Sequence, residues 1–181
     1  PRKMTVGYVG RLDRSKGVGD LMAAVRELDF PIHVLLVGDG PMKRELHGTI
    51  ANDGISVEIH DAVPHDELPR YYSKMDLFVF ASQRESFGNV VVEAVACCVP
   101  VIGTPVGGLI DYIEDQLNGF FVEFANPGQI AAVIKYYSGF SGSRKTRMRD
   151  AAARTGLNYD RKRQSEGFVS FLRSLGDIRS G

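Results

Sequence analysis

Short apolar runs alternate with amphipathic stretches along almost the whole chain, and this alternation limits the folds open to it. The runs at residues 5–9, 32–37, 57–59, 77–81, 101–103 and 119–122 have the length and the Val, Ile and Phe content of strands. Helical spacing follows at 18–28, 42–52, 67–73, 90–96, 108–113, 129–138, 144–155 and 161–175. Strands that are apolar on both sides must be covered on both faces. Strands separated by helices run parallel. The expected fold is therefore α/β: a Rossmann-like parallel sheet of about six strands with helices on both faces, followed by C-terminal helices. Ligands of such sheets bind beyond the carboxyl ends of the strands. The chemistry is accordingly sought in the strand-to-helix loops.

Composition narrows the class. At 181 residues the chain is read as a single domain, residues 1–181, with 44% hydrophobic and 24% charged residues and a net charge of zero. A balanced charge argues against nucleic acid as a partner. Cys97 and Cys98 are adjacent, which suits neither a disulfide framework nor a zinc site and points to a reducing, cytoplasmic setting. No apolar run approaches the roughly 20 residues that span a bilayer. Pro1-Arg2-Lys3 leads almost directly into the first strand without an initiating Met, so the chain is expected to be an excised part of a longer one. The stretch 144–181 differs in character, with ten Arg or Lys against four Asp or Glu. Phe168, Phe171, Leu172 and Leu175 recur there at helical spacing. A basic amphipathic helix of this kind packs on its own protein or lies on an anionic membrane surface, and peripheral membrane association stays open.

The most informative segment is Glu85-Ser86-Phe87-Gly88-Asn89-Val90-Val91-Val92-Glu93. Glu85 falls in the loop after the strand at 77–81, and Glu93 about one turn into the following helix. Gly88-Asn89 reads as the turn between them, with Asn89 as N-cap. A strand, a glycine-containing loop and a helix N-terminus make an anion site, because free N–H groups and the helix dipole converge there. Carboxylates beside a phosphate would repel it, so Glu85 and Glu93 are read as hydroxyl acceptors flanking a diphosphate. That arrangement describes a nucleotide-sugar, with ribose on one side and hexose on the other.

Three further loops join it. Gly10-Arg11-Leu12-Asp13-Arg14-Ser15-Lys16-Gly17 follows the first strand, where the Arg11 fork and the Lys16 point charge suit a departing diphosphate. Gly38-Asp39-Gly40-Pro41 follows the second strand and reads as mostly structural, lacking the third glycine of a dinucleotide fingerprint. Pro105-Val106-Gly107-Gly108 either faces a ligand or is a simple turn. No Asp-x-Asp occurs, and His33, His47, His60 and His65 show no ligand spacing, so no metal site and no cofactor are expected.

The segment from Glu85 to Ala96, followed by Pro100-Val101-Ile102-Gly103-Thr104-Pro105-Val106-Gly107-Gly108, resembles the E-x7-E region of retaining family-4 (group 1) glycosyltransferases. The stretch from Gly10 to Gly17 resembles that family's Gly-Arg-Leu…Lys-Gly motif, and Gly38 to Pro41 its Gly-x-Gly-Pro turn. The resemblance covers roughly residues 4–122 and implies the donor-binding C-terminal half of an enzyme with two Rossmann-like domains. It implies Arg11, Lys16 and Glu85 as catalytic residues, with Arg11 and Lys16 on the diphosphate and Glu85 on the sugar. Glu93 would hold the ribose. Gly10, Gly38, Gly40, Val63, Phe87, Gly88, Asn89 and Val90 would complete the donor site, with Val63-Pro64 on the nucleobase side. The implied partners are a nucleotide-sugar donor, an N-terminal domain of the same enzyme and an acceptor of unknown kind. A nucleotide-sugar epimerase or phosphorylase on the same architecture, or a non-catalytic nucleotide- or sugar-binding module, are the alternatives. Cys98 departs from the family, which commonly has glycine there. That position should close a helix, where a left-handed backbone favours glycine, so either the cysteine is strained or the helix ends differently.

Overall fold

Each of the expected apolar runs forms a strand of one sheet, and every strand pairing in it is parallel. A computed structural model of the chain describes residues 3–48 and 54–159. The helix expected at 161–175, and the end of the one expected at 42–52, lie outside these residues. The strands are β1 (Met4–Val9), β2 (Ile32–Val37), β3 (Ile55–His60), β4 (Leu77–Phe80), β5 (Val101–Gly103) and β6 (Gly119–Phe121). Their order across the sheet is β3-β2-β1-β4-β5-β6, the Rossmann order. Val34, Leu35, Leu36 and Phe78 are fully buried, as strands covered on both faces require.

The helices are α1 (Val18–Arg26), α2 (Lys43–Gly48), α3 (Pro69–Tyr72), α4 (Asn89–Ala96), α5 (Leu109–Tyr112), α6 (Pro127–Ser138) and α7 (Gly142–Asn158). In α1 the apolar positions Val18, Leu21, Met22 and Val25 recur at one face and are buried. α1 packs on α6, and α4 on α7. The α4–α7 contact is close enough that a side chain at Gly156 would stand 2.4 Å from Ala96 Cα. Boundaries shift by one to three residues from expectation where caps decide them. Asn126 caps α6, its side chain accepting from Gln129 N, and the helix starts two residues earlier than its spacing suggested. Asn118 and Ser82, both buried, are tied into the backbone: Asn118 bonds Glu114 N, Tyr112 O and Thr155 Oγ1, and Ser82 Oγ donates to Arg84 O. No helix among the described residues is long and apolar enough to cross a membrane.

Cys98 has the conformation its position in the sequence led us to expect, with φ of 60°. Cys98 N donates to Val95 O and Val99 N to Ala94 O, both at 2.9 Å, which is the paired closure of a Schellman motif. A left-handed backbone costs a residue with a side chain about 1–2 kcal/mol. Cys98→Gly should therefore raise stability by about 1 kcal/mol in denaturant unfolding. A loss of stability would show that the cysteine side chain's packing outweighs the strain.

Candidate functional site

The strand order reverses between β1 and β4, and the crevice that a parallel sheet offers to ligands opens there. The loops leaving these two strands are laced together. Gln83 N donates to Ser15 O at 2.8 Å, and Thr104 Oγ1 donates to Ser82 O at 2.5 Å from the loop after β5. The β1 and β2 loops are equally close. A Cβ at Gly38 would lie 1.9 Å from Gly10 O, and one at Gly40 2.4 Å from Leu12 O. These glycines hold the crevice floor together by letting backbones touch. Gly107, with φ of 50°, does the same under the β4 loop, where a Cβ would meet Glu85 O at 1.6 Å. The Gly107-Gly108 turn thus supports the Glu85 loop from beneath.

This lacing brings Lys16 and Glu85 together. Lys16 Nζ lies 3.0 Å from Glu85 Oε2 and 3.3 Å from Arg84 O. Glu85 Oε1 accepts from Ser86 N at 3.1 Å and Gly88 N at 3.2 Å. Partial burial pushes the Glu85 carboxyl up, but Lys16 and the Gly88 and Ser86 N–H groups outweigh it and hold it below the ordinary carboxylate range. Arg14, beside Lys16 in sequence, turns away to pair with Glu45 at 3.2 Å. The Arg11 side chain is 69% exposed, with Asp13 at 3.8 Å. Its backbone is fixed by Tyr8, whose hydroxyl donates to Arg11 O at 2.6 Å. Burial, with the charges of Asp13 and Glu85, raises the Tyr8 phenol, so it stays a donor.

Two expectations at the helix start are corrected. Asn89 is the first residue of α4, and the N-cap is Gly88, with φ of 72° and no side-chain cap. A left-handed residue at the cap suits glycine, and it turns the chain sharply into the helix. Nor is the Gly88 N–H free for an anion, because Glu85 has taken it. Asn89 and Val90, in the first helical turn, hold the N–H groups without an intrahelical acceptor.

Glu93 belongs to a second cluster. Its Oε1 lies 2.8 Å from His65 Nε2, and its Oε2 accepts from Tyr72 Oη at 2.9 Å. A cleft of about 650 Å³ begins at Glu93, His65, Phe87 and Asn89 and runs toward Tyr112 and Leu157. Phe87 is 70% exposed at its mouth. Val63 packs partly buried against the core at the same end of the sheet, and His65, two residues on, faces the cleft instead. Of the expected site residues, Lys16, Glu85 and Gly88 meet in one cluster, and Phe87, Asn89 and Glu93 share the cleft. Arg11 touches neither. The sequence reading assigned no role to Tyr8, His65 or Tyr72. The tyrosines sit at apolar positions and gave no polar signal, whereas the place of His65 just after Val63-Pro64 was a usable one.

The depressed Glu85 carboxyl has a consequence for stability. A group whose folded pKa lies below its unfolded value stabilises the fold above the unfolded value, and this is lost as pH falls through the folded one. Glu85→Gln should lower stability at pH 7 by about 1 kcal/mol, the upper range for a partly exposed pair. The difference should shrink as pH falls below the ordinary carboxyl range and Glu85 takes up its proton. An equal deficit at pH 7 and below that range in thermal melts would show packing at work and not charge.

The model of the family described as "Glycosyl transferases group 1" matches residues 1–154. An uncharacterized glycosyltransferase of Methanocaldococcus jannaschii is 34% identical over 128 residues, covering 70% of this chain and 36% of that protein. A 2-deoxystreptamine glucosyltransferase of Streptomyces kanamyceticus is 31% identical over 137 residues, covering 72% and 34%. Among solved structures, sucrose-phosphate synthase from Thermosynechococcus elongatus superposes with a TM-score of 0.82 at 26% identity, over 97% of this chain and 46% of that one. Anabaena HepE in complex with UDP gives 0.79 at 25%, over 95% and 49%. The chain spans about a third of the length of these curated relatives and about half of these solved chains.

Proposed function

The chain belongs to the group 1 glycosyltransferases, and from that premise we propose that it is the half of a longer enzyme that binds a nucleoside-diphosphate sugar. The enzyme transfers the sugar to an acceptor held by an N-terminal domain, with retention and without a metal ion. Glycosyltransferase activity and a nucleotide-sugar donor agree with the family and with relatives such as the glucosyltransferase and the UDP-bound HepE. The observation that carries the residue assignment is the Lys16–Glu85 pair, 3.0 Å apart at the β1/β4 reversal and beside the first turn of α4.

Transfer breaks the bond between the anomeric carbon and the diphosphate oxygen, and negative charge builds on that oxygen. Of the cations in the two loops that border the crevice, Lys16 and the exposed Arg11 are the ones assigned to the diphosphate, Arg14 being turned away onto Glu45, and the Asn89 and Val90 N–H groups supply the positive end of a helix. Glu85 receives the donor sugar's hydroxyls on the carboxylate that Lys16 now occupies. Glu93, at the cleft, receives the ribose. Gly10, Gly38 and Gly40 shape the close-packed floor on which the nucleotide rests, and Val63 borders the base. The carboxylates act as hydroxyl acceptors, and the positive charge that the leaving group needs comes from Lys16, Arg11 and the helix. The setting is cytoplasmic, with the basic stretch 144–181 as the part of the chain for peripheral contact with a membrane.

The test begins with the chain as it stands. Calorimetry without Mg²⁺ should detect weak binding of at least one of UDP, GDP and ADP, since an open half-site leaves its charges screened by water. No sugar transfer is expected until the N-terminal domain is present. In the complete enzyme, Arg11→Ala and Lys16→Ala should each lower kcat by about 10²–10³ while leaving the fold intact. Near-normal turnover in both would remove the diphosphate assignment. Silence toward all three nucleotides at millimolar concentration would favour a non-catalytic module.

A further inference from the structure

The two oxygens of the Glu93 carboxylate are held in unlike ways. Oε2 accepts from the hydroxyl of Tyr72, which is completely buried, stacks edge-on against Phe78 at 5.6 Å between ring centres, and also lies 3.2 Å from Val90 O. That donor cannot leave without unpacking the core. Oε1 is met by His65, whose side chain is 79% exposed and stands in the turn His65–Glu67 after Pro64. That partner can swing into water at little cost. The carboxylate itself is 20% exposed, and what shows of it opens into the cleft.

We propose that Tyr72 is a positioning residue that fixes the plane of the Glu93 carboxylate for the ribose diol, and that His65 is the partner the ribose displaces. This rests on the reading of Glu93 as the ribose acceptor. The terminal torsion of a glutamate is broad, so an untethered carboxylate turns freely to follow whichever hydroxyl is present. A tethered one cannot, and it reads the pair of hydroxyls as a unit. The site therefore selects ribonucleotide donors over 2′-deoxyribonucleotide donors, and Tyr72 is the source of that selection. Burial first, and then the neighbouring Glu93 charge, raises the Tyr72 phenol far above its ordinary value, so the tether stays protonated at any working pH. His65 pairs with Glu93 on α4, and Asp66 and Glu67 follow it in its own turn, Glu67 being paired with Arg70.

Calorimetric titration of the chain with UDP, GDP or ADP, whichever binds, and with its 2′-deoxy counterpart tests this in four proteins. The parent should bind the deoxy form about tenfold more weakly, the worth of one hydrogen bond to a charged group. Glu93→Gln should lose most of that difference. Tyr72→Phe, which keeps the ring, should weaken the ribonucleotide and shrink the difference below about threefold, a change in selectivity that mere loss of packing does not produce. His65→Ala, at an exposed site that leaves the fold untouched, should tighten the ribonucleotide by roughly two- to fivefold, the range of an exposed pair. No deoxy penalty in the parent, or a full penalty in Glu93→Gln, would defeat the ribose reading itself. A parent penalty that Glu93→Gln abolishes and Tyr72→Phe retains would overturn the tether alone. Unchanged or weaker binding in His65→Ala would overturn the displacement.

Discussion

A parallel sheet buried on both faces has one place where its strand order can turn, and in this chain that place lies between β1 and β4. The helices sort into separate groups around it, α1 with α6 and α4 with α7. The loops leaving β1 and β4 are thereby forced side by side, and the site follows from their contact. Backbone touches backbone along the crevice floor, at Gly38 against Gly10 O and at Gly107 against Glu85 O. No side chain fits between them. Lys16 and Glu85, 69 residues apart in sequence, meet because of this lacing.

The two glutamates that frame the site live in different electrostatic surroundings. Glu85 is compensated by a cation and by two backbone N–H groups, which keep it ionised and cancel much of its repulsion toward an arriving anion. Glu93 has a neutral phenol and an exposed imidazole instead. A carboxylate held by a neutral donor keeps its full strength as an acceptor, which suits hydroxyls. The same sequence motif therefore delivers a charge-compensated carboxylate beside Lys16 and one held by Tyr72 and His65 at the cleft.

The fold was legible because its signal is periodic. Runs such as 34–37 and 77–81 are apolar at every position, and only strands buried on both faces tolerate that. The left-handed turn at Cys98 was legible too, through the glycine that the resembling family commonly has at that position. The N-cap was misplaced because Asn89 is a good capping residue by type, while the tight approach of Gly88 to Leu109 decided the matter from elsewhere in the chain. Tyr8 and Tyr72 escaped notice for a related reason. Both fill apolar positions, and only the packed structure shows that their hydroxyls end on Arg11 O and Glu93. Patterns along the sequence show which residues are buried, but not where the polar tip of a buried ring points.

The central claim is that an anion binds where Lys16, Glu85 and the first turn of α4 converge. Amide chemical shifts of the ¹⁵N-labelled chain, followed while a nucleoside diphosphate is added, test it most directly. The account predicts that the largest shifts fall on Lys16, Asn89 and Val90, with Gly88 moving as its bond to Glu85 is disturbed. Saturable shifts confined to the basic residues of α7, with the β1 and β4 loops unmoved, would contradict it.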